Sequence, residues 1–181
     1  VNHFTRLETG LIPYIIRKHI KKYPVSLAAQ YFFDGKMKEF MDNVGAVSIA
    51  DPDRDKICIN ALLTDSHPVV IFPEGQIIKD KKIIEKGKYL VYNAGIRRPP
   101  HTGAAQIAQL TEFLREKLRI LRSRGDQMSM ARILSRFGVD VADVDRVIDK
   151  ETHVVPVNIT YYPVRAKETV LSRFVGKYFH N

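Results

Sequence analysis

Cysteine occurs once in the 181-residue chain, as Cys58. An intrachain disulfide is therefore impossible, and a cysteine-rich zinc site is excluded. Within "KICINALL" the residue reads as a small buried hydrophobe, which suits a reducing compartment. Long apolar runs are missing too: nothing approaches the roughly 18 residues of a membrane-spanning helix. The run "GLIPYII" is short and interrupted by Pro13. No signal-peptide pattern is present, and no Gly-x-Ser-x-Gly elbow marks a serine nucleophile. Acidic residues are in short supply, with 20 Asp and Glu against 29 Lys and Arg, a formal charge of +9. Such a surplus attracts nucleic acid, anionic lipid or phosphorylated small molecules without choosing among them. The first residue is valine, not methionine, so we expect a fragment, with any membrane anchor upstream of Val1.

What is present is an ordinary globular composition, 45% hydrophobic and 27% charged, without repeats or low-complexity tracts. A length of 181 residues suits a single domain with a real core. Four runs read as strands: residues 24–29, 45–50, 68–73 and 153–162. Their near-continuous apolar character points to a mixed central sheet, mostly buried and flanked by helices. "KMKEFMDNV" and "DRDKICINALL" read as the short helices between them, which makes the class α/β. A longer helix is expected over about residues 103–122, where Ile107, Leu110, Leu114, Leu118 and Leu121 form one stripe. Thr102 is its expected N-cap and Gly125 its stop. With "MARILSRFG" and "VDVADVDRVIDK" it makes residues 103–152 a helical insertion within the domain of residues 1–181, ahead of the last strand.

Two motifs could carry chemistry. "VVIFPEGQ" ends a buried strand at Phe72, and Pro73, Glu74 and Gly75 follow. Ligands of open α/β sheets bind beyond the carboxyl ends of strands, and a glycine there lets backbone N–H groups approach an oxyanion. Lys79, Lys81, Lys82, Lys86 and Lys88 crowd the residues after it. A Pro-Glu-Gly turn into a solvated lysine-rich hairpin explains the same residues structurally. The second motif is "VNHFTRLE", in which His3 precedes Glu8 by five positions. A carboxylate that holds one imidazole nitrogen makes the other a better base. No other histidine in the chain has an acid at this spacing.

Together these motifs resemble the glycerolipid acyltransferases, the glycerol-3-phosphate and 1-acylglycerol-3-phosphate acyltransferase family. Asn2, His3 and Glu8 match its His-x-x-x-x-Asp block, with Glu in place of Asp. "GAVSIADPDR" fits the second block as a glycine-led strand, although Asp51 stands where the family has arginine and Arg54 follows three residues later. Phe72, Pro73, Glu74 and Gly75 match the third block, whereas Gln76, Ile77 and Ile78 replace its Thr-Arg-Ser. Val155, Pro156 and Val157 match the fourth.

The resemblance implies a glycerolipid acyltransferase-like fold. It also implies acyl transfer from acyl-coenzyme A or acyl carrier protein to a glycerophosphate or lysophospholipid hydroxyl. His3 would be the general base and Glu8 its orienting partner. Asn2, Phe72, Pro73, Glu74 and Gly75 would line the acceptor site, and Arg54 or Lys79 would replace the missing arginines on phosphate. Neither a cofactor nor a metal is implied. An anionic membrane surface is the expected partner, on the cytoplasmic side, with peripheral attachment or an anchor upstream. "YIIRKHIKKYP" is basic and amphipathic, suited either to lipid or to packing on the sheet. Arg97, Arg98 and His101 in "RRPPHTGAA" could bind an anion at a helix start, but turn and cap chemistry explains them locally. The missing arginines also motivate a catalytically silent lipid- or anion-binding domain of the same fold. A nucleic-acid module has only the charge in its favour; nanomolar binding that falls steeply with salt would be needed to establish it.

Overall fold

The structure, a computed structural model, describes residues 7–35, 37–74, 84–93 and 96–159. The described chain is mixed α/β. Its elements begin with α1 (Leu7–Ile20), β1 (Val25–Ala28), α2 (Met37–Asn43), β2 (Ala46–Ser48), α3 (Arg54–Thr64) and β3 (Val69–Val70). Two small ribbons follow, β4 (Ile84–Glu85) with β5 (Lys88–Tyr89), and β6 (Val91–Asn93) with β7 (Ile96–Arg98). The helices α4 (Gly103–Ser123), α5 (Gln127–Arg136) and α6 (Val144–Ile148) follow, and short 3-10 turns lie at Gln30–Phe33 and Val141–Asp143.

The central sheet has three parallel strands in the order β2-β1-β3. Side chains alternate between its faces. Val25, on one face of β1, joins the main core, with Leu27, Val47, Val69 and Ile71 packed against it. The intervening residues Ser26, Ala28, Ala46 and Ser48 are small, so the opposite face is thinly filled. Gly45 opens β2 with φ +76°, and a Cβ there would stand 2.8 Å from the carbonyl oxygen of Pro24. Only glycine combines that backbone angle with that approach, which gives the glycine-led strand its physical reason.

The expected helices form. Ile107, Leu114 and Leu118 are buried along the α4 stripe and meet Cys58, Ile59, Ala61 and Leu63 of α3, with Met130, Leu134, Val144 and Val147 closing the same core. Leu110 departs from the stripe, being partly exposed at the wall of a cavity. Thr102 precedes α4 without a side-chain capping bond, whereas Asp126 caps α5 by accepting from the Ser129 N–H at 3.0 Å. Gly125 takes φ +69° between them, as a helix stop requires.

Arg115 ties these helices together from inside. Its side chain is almost wholly buried, and Nε donates to the Val147 carbonyl at 3.1 Å. Nη1 reaches Thr152 Oγ1 at 2.6 Å and also pairs with Glu112, while Nη2 donates to the Leu62 carbonyl. A buried guanidinium is tolerable only when acceptors surround it in this way. Burial of Glu112 works against its ionisation, but hydrogen bonds from Thr152 and Arg115 outweigh it and lower the carboxyl's pKa.

One expected strand, over residues 153–162, does not form in its described part. Residues 151–159 carry no strand, and Val154 and Val155 are 74% and 72% exposed. The apolar run has strand propensity, but propensity is realised only against a paired neighbour. Pro156 has no N–H to offer a ladder. Residues 160–162 lie outside the described residues.

Cys58 is fully buried, and burial together with the nearby Asp55 charge pushes its thiol up to about 11, against the pull of Arg54. Alkylation in mild alkali should therefore report opening of the core. Arg115→Ala strands the Leu62 and Val147 carbonyls and is expected to cost about 3 kcal/mol of stability. That loss should speed Cys58 alkylation about a hundredfold. An unchanged rate would show that the guanidinium does not hold the helices.

Candidate functional site

The carboxyl ends of β1 and β3 open onto a cavity of about 930 Å³. Ala28 at the end of β1, Ala29 just after it, and Ile71 and Phe72 beyond β3 form one wall. Ile59 of α3 and Ile107 and Leu110 of α4 form another. Polar groups enter at the rim: Thr9 of α1, Arg54 and Asp55 at the start of α3, and His101 and Thr102 at the start of α4. This is where a parallel sheet places ligands, and its volume is that of a small-molecule site. A second cavity of about 390 Å³ lies against the thinly filled sheet face, lined by α1 and α2. Thr9, Leu27, Ala28, Phe32 and Phe72 line both.

Glu8 stands in the first turn of α1, where the helix N-terminus favours a carboxylate. It is completely buried. Its neighbour Thr9 lines both cavities, and Pro13 cannot return the usual helical hydrogen bond to the Thr9 carbonyl. Asn2 and His3 lie outside the described residues, as do Gly75 and Lys79.

Phe72, Pro73 and Glu74 follow β3 and are held from three sides. The His101 N–H donates to the Pro73 carbonyl at 2.7 Å, and Arg98 Nη2 donates to the Glu74 carbonyl at 3.1 Å. The Tyr89 hydroxyl donates to Glu74 Oε1 at 3.3 Å, a long bond. Glu74 is 2% exposed, and among the described residues its Oε2 has no hydrogen-bond partner. A buried carboxylate oxygen without a donor is costly.

Arg54 reaches the larger cavity but is already engaged. Its Nη1 donates to the Ile49 carbonyl at 2.8 Å, and its Nε pairs with Asp55 at 2.9 Å. Asp51, at the family's arginine position, accepts from the Asp53 N–H at 2.8 Å and shapes the turn into α3.

For Arg98 and His101 the sequence offers an anion site at a helix start or, more simply, turn and cap roles. The structure places His101 on the cavity wall and Arg98 against the Glu74 backbone. Tyr89 was not anticipated at all. Lys86 and Gly87 form the two-residue turn of the β4–β5 ribbon, both with positive φ, as the alternative reading as a hairpin requires. Among the described residues no three His, Cys, Asp or Glu side chains gather as a metal site would.

Burial first, then the Glu74 charge and hydrogen bond, raise the Tyr89 phenol above its ordinary pKa. The protonated phenol is thus favoured by the fold, a contribution present below the unfolded pKa and lost as pH rises through the folded one. Glu74→Gln should bring the Tyr89 titration down part of the way, leaving the share due to burial. Ultraviolet titration of the variant against Tyr89→Phe measures this; no change would show that the two side chains do not interact. Comparison with protein families, curated proteins and solved structures returned no match to this chain.

Proposed function

We propose that the chain is an acyltransferase of the glycerolipid type, with a glycerolipid acyltransferase-like fold. It would move a fatty acyl group from a coenzyme A or carrier-protein thioester to a glycerophosphate or lysophospholipid hydroxyl. The observation that carries the reading is the shared cavity lining: Thr9, next to Glu8, and Phe72, next to Pro73-Glu74, meet at both cavities. Two sequence blocks far apart in the chain thus converge at the carboxyl edge of a parallel sheet.

In the proposed reaction His3 accepts the proton of the acceptor hydroxyl as its oxygen attacks the thioester carbonyl carbon. The C–S bond of the tetrahedral adduct then breaks, and the departing thiolate takes the proton back from the imidazolium. Glu8, buried at the head of α1, orients the imidazole. Glu74 lines neither cavity; by the motif match alone it is the proposed acceptor-side contact beside Phe72. Arg54, and Lys79 outside the described residues, are the proposed phosphate contacts. The apolar walls suit an acyl chain, and a cytoplasmic-side membrane surface is the proposed setting.

His3→Ala is expected to lower kcat about 10²- to 10⁴-fold across a panel of acyl donors and acceptors, and Glu8→Gln to lower it less. Arg54→Ala should raise KM for phosphorylated acceptors about tenfold while leaving kcat nearly unchanged. Wild type and His3→Ala equally inactive on the whole panel would contradict the proposal and favour the silent binding domain.

A further inference from the structure

The smaller cavity opens through an exposed apolar rim. Tyr14 of α1 and Phe40 of α2 both line it and are nevertheless 61% and 56% exposed. Met37 and Tyr23 share that double character. Leu11, Ile15 and Ile20 extend the exposed apolar residues along α1. Apolar side chains that stay in water around the mouth of an apolar cavity require an explanation.

Charge selects the occupant. Arg17 lines the same cavity, and its guanidinium stacks 5.2 Å from the Tyr23 ring centroid. Lys18, Lys21 and Lys22 are exposed beside it at the end of α1. On α2, Asp42 is paired with Lys38 at 2.6 Å, and Glu39 is the one other carboxylate of that helix. Aromatic and aliphatic side chains flanked by cations match the boundary between headgroups and acyl chains of an anionic bilayer.

We propose that α1 and α2 form the face by which this chain docks on anionic lipid. Tyr14, Met37 and Phe40 enter the interface around the cavity mouth, and Arg17, Lys18 and Lys21 contact the headgroups. The small cavity then opens directly toward the acyl-chain layer. This deepens the acyl-transfer reading by locating its membrane contact, and the test needs no turnover, so either can fail alone.

The chain has no tryptophan, so a single introduced indole is a clean reporter. Phe40→Trp places it at the rim; Phe113→Trp places it on α4, at a position 64% exposed that lines neither cavity. With phosphatidylcholine–phosphatidylglycerol vesicles carrying brominated chains, the first indole should shift to the blue and be quenched, and the second should not. Lys18→Gln with Lys21→Gln should weaken vesicle partitioning about thirtyfold. Quenching at neither position, equal quenching at both, or equal binding to pure phosphatidylcholine would overturn the proposal. A concentration-dependent dimer broken by Phe40→Asp, without vesicle binding, would overturn it in favour of a second copy.

Discussion

A guanidinium sealed inside the protein sets the geometry of the helical half. Arg115 must find acceptors where water cannot reach, and it finds them on α3, on α6 and at Thr152. Satisfying one charge therefore fixes α4 against two other helices. The opposite end of α4 brings His101 and Thr102 to the large cavity. A buried ionic group contributes little net stability against a well-packed apolar one, but removing its partners is expensive. Its consequence here is placement: the helix start that borders the site is held by a bond network about three turns away.

The sheet makes the complementary contribution. In β1 the alternation of Val25 and Leu27 with Ser26 and Ala28 builds a dense core on one face and leaves room on the other. Parallel pairing with β2 and β3 aligns the carboxyl ends, so Ala28, Ala29, Ile71 and Phe72 end at one edge. Thr9 enters from α1, and β5 and β7 return Tyr89 and Arg98 to Glu74. The site is thus assembled from short elements braced by a larger helical core.

Local periodicity made much of this fold legible. The α4 stripe, the short helices α2 and α3 and the positions of the three strands follow from hydrophobic spacing and turn residues. The central sheet, expected to be mixed, is parallel among the described residues. Where pairing decides, the reading failed: "HVVPVN" has the composition of a strand, yet among the described residues it pairs with no strand and stays exposed. The role of Arg115 was hidden because a charged residue on an amphipathic helix reads as solvated until tertiary acceptors are known. Tyr89 was hidden for a related reason, since its contact with Glu74 depends on how two ribbons fold back. Motif matching proposed Glu8, Arg54, Phe72, Pro73 and Glu74, and of these Arg54 and Phe72 line the larger cavity. The engagement of Arg54 by Ile49 and Asp55 could not be found that way, because it rests on a turn that Asp51 shapes.

The central claim is that the blocks around Glu8 and Glu74 serve one transfer reaction. Its most direct test follows thiol release from acyl-coenzyme A together with mass-spectrometric identification of the acceptor, using the wild-type chain. The account predicts one acyl ester on a glycerophosphate or lysophospholipid hydroxyl for every thiol freed. Thiol release without any acylated acceptor would mean that water takes the acyl group, and would contradict it.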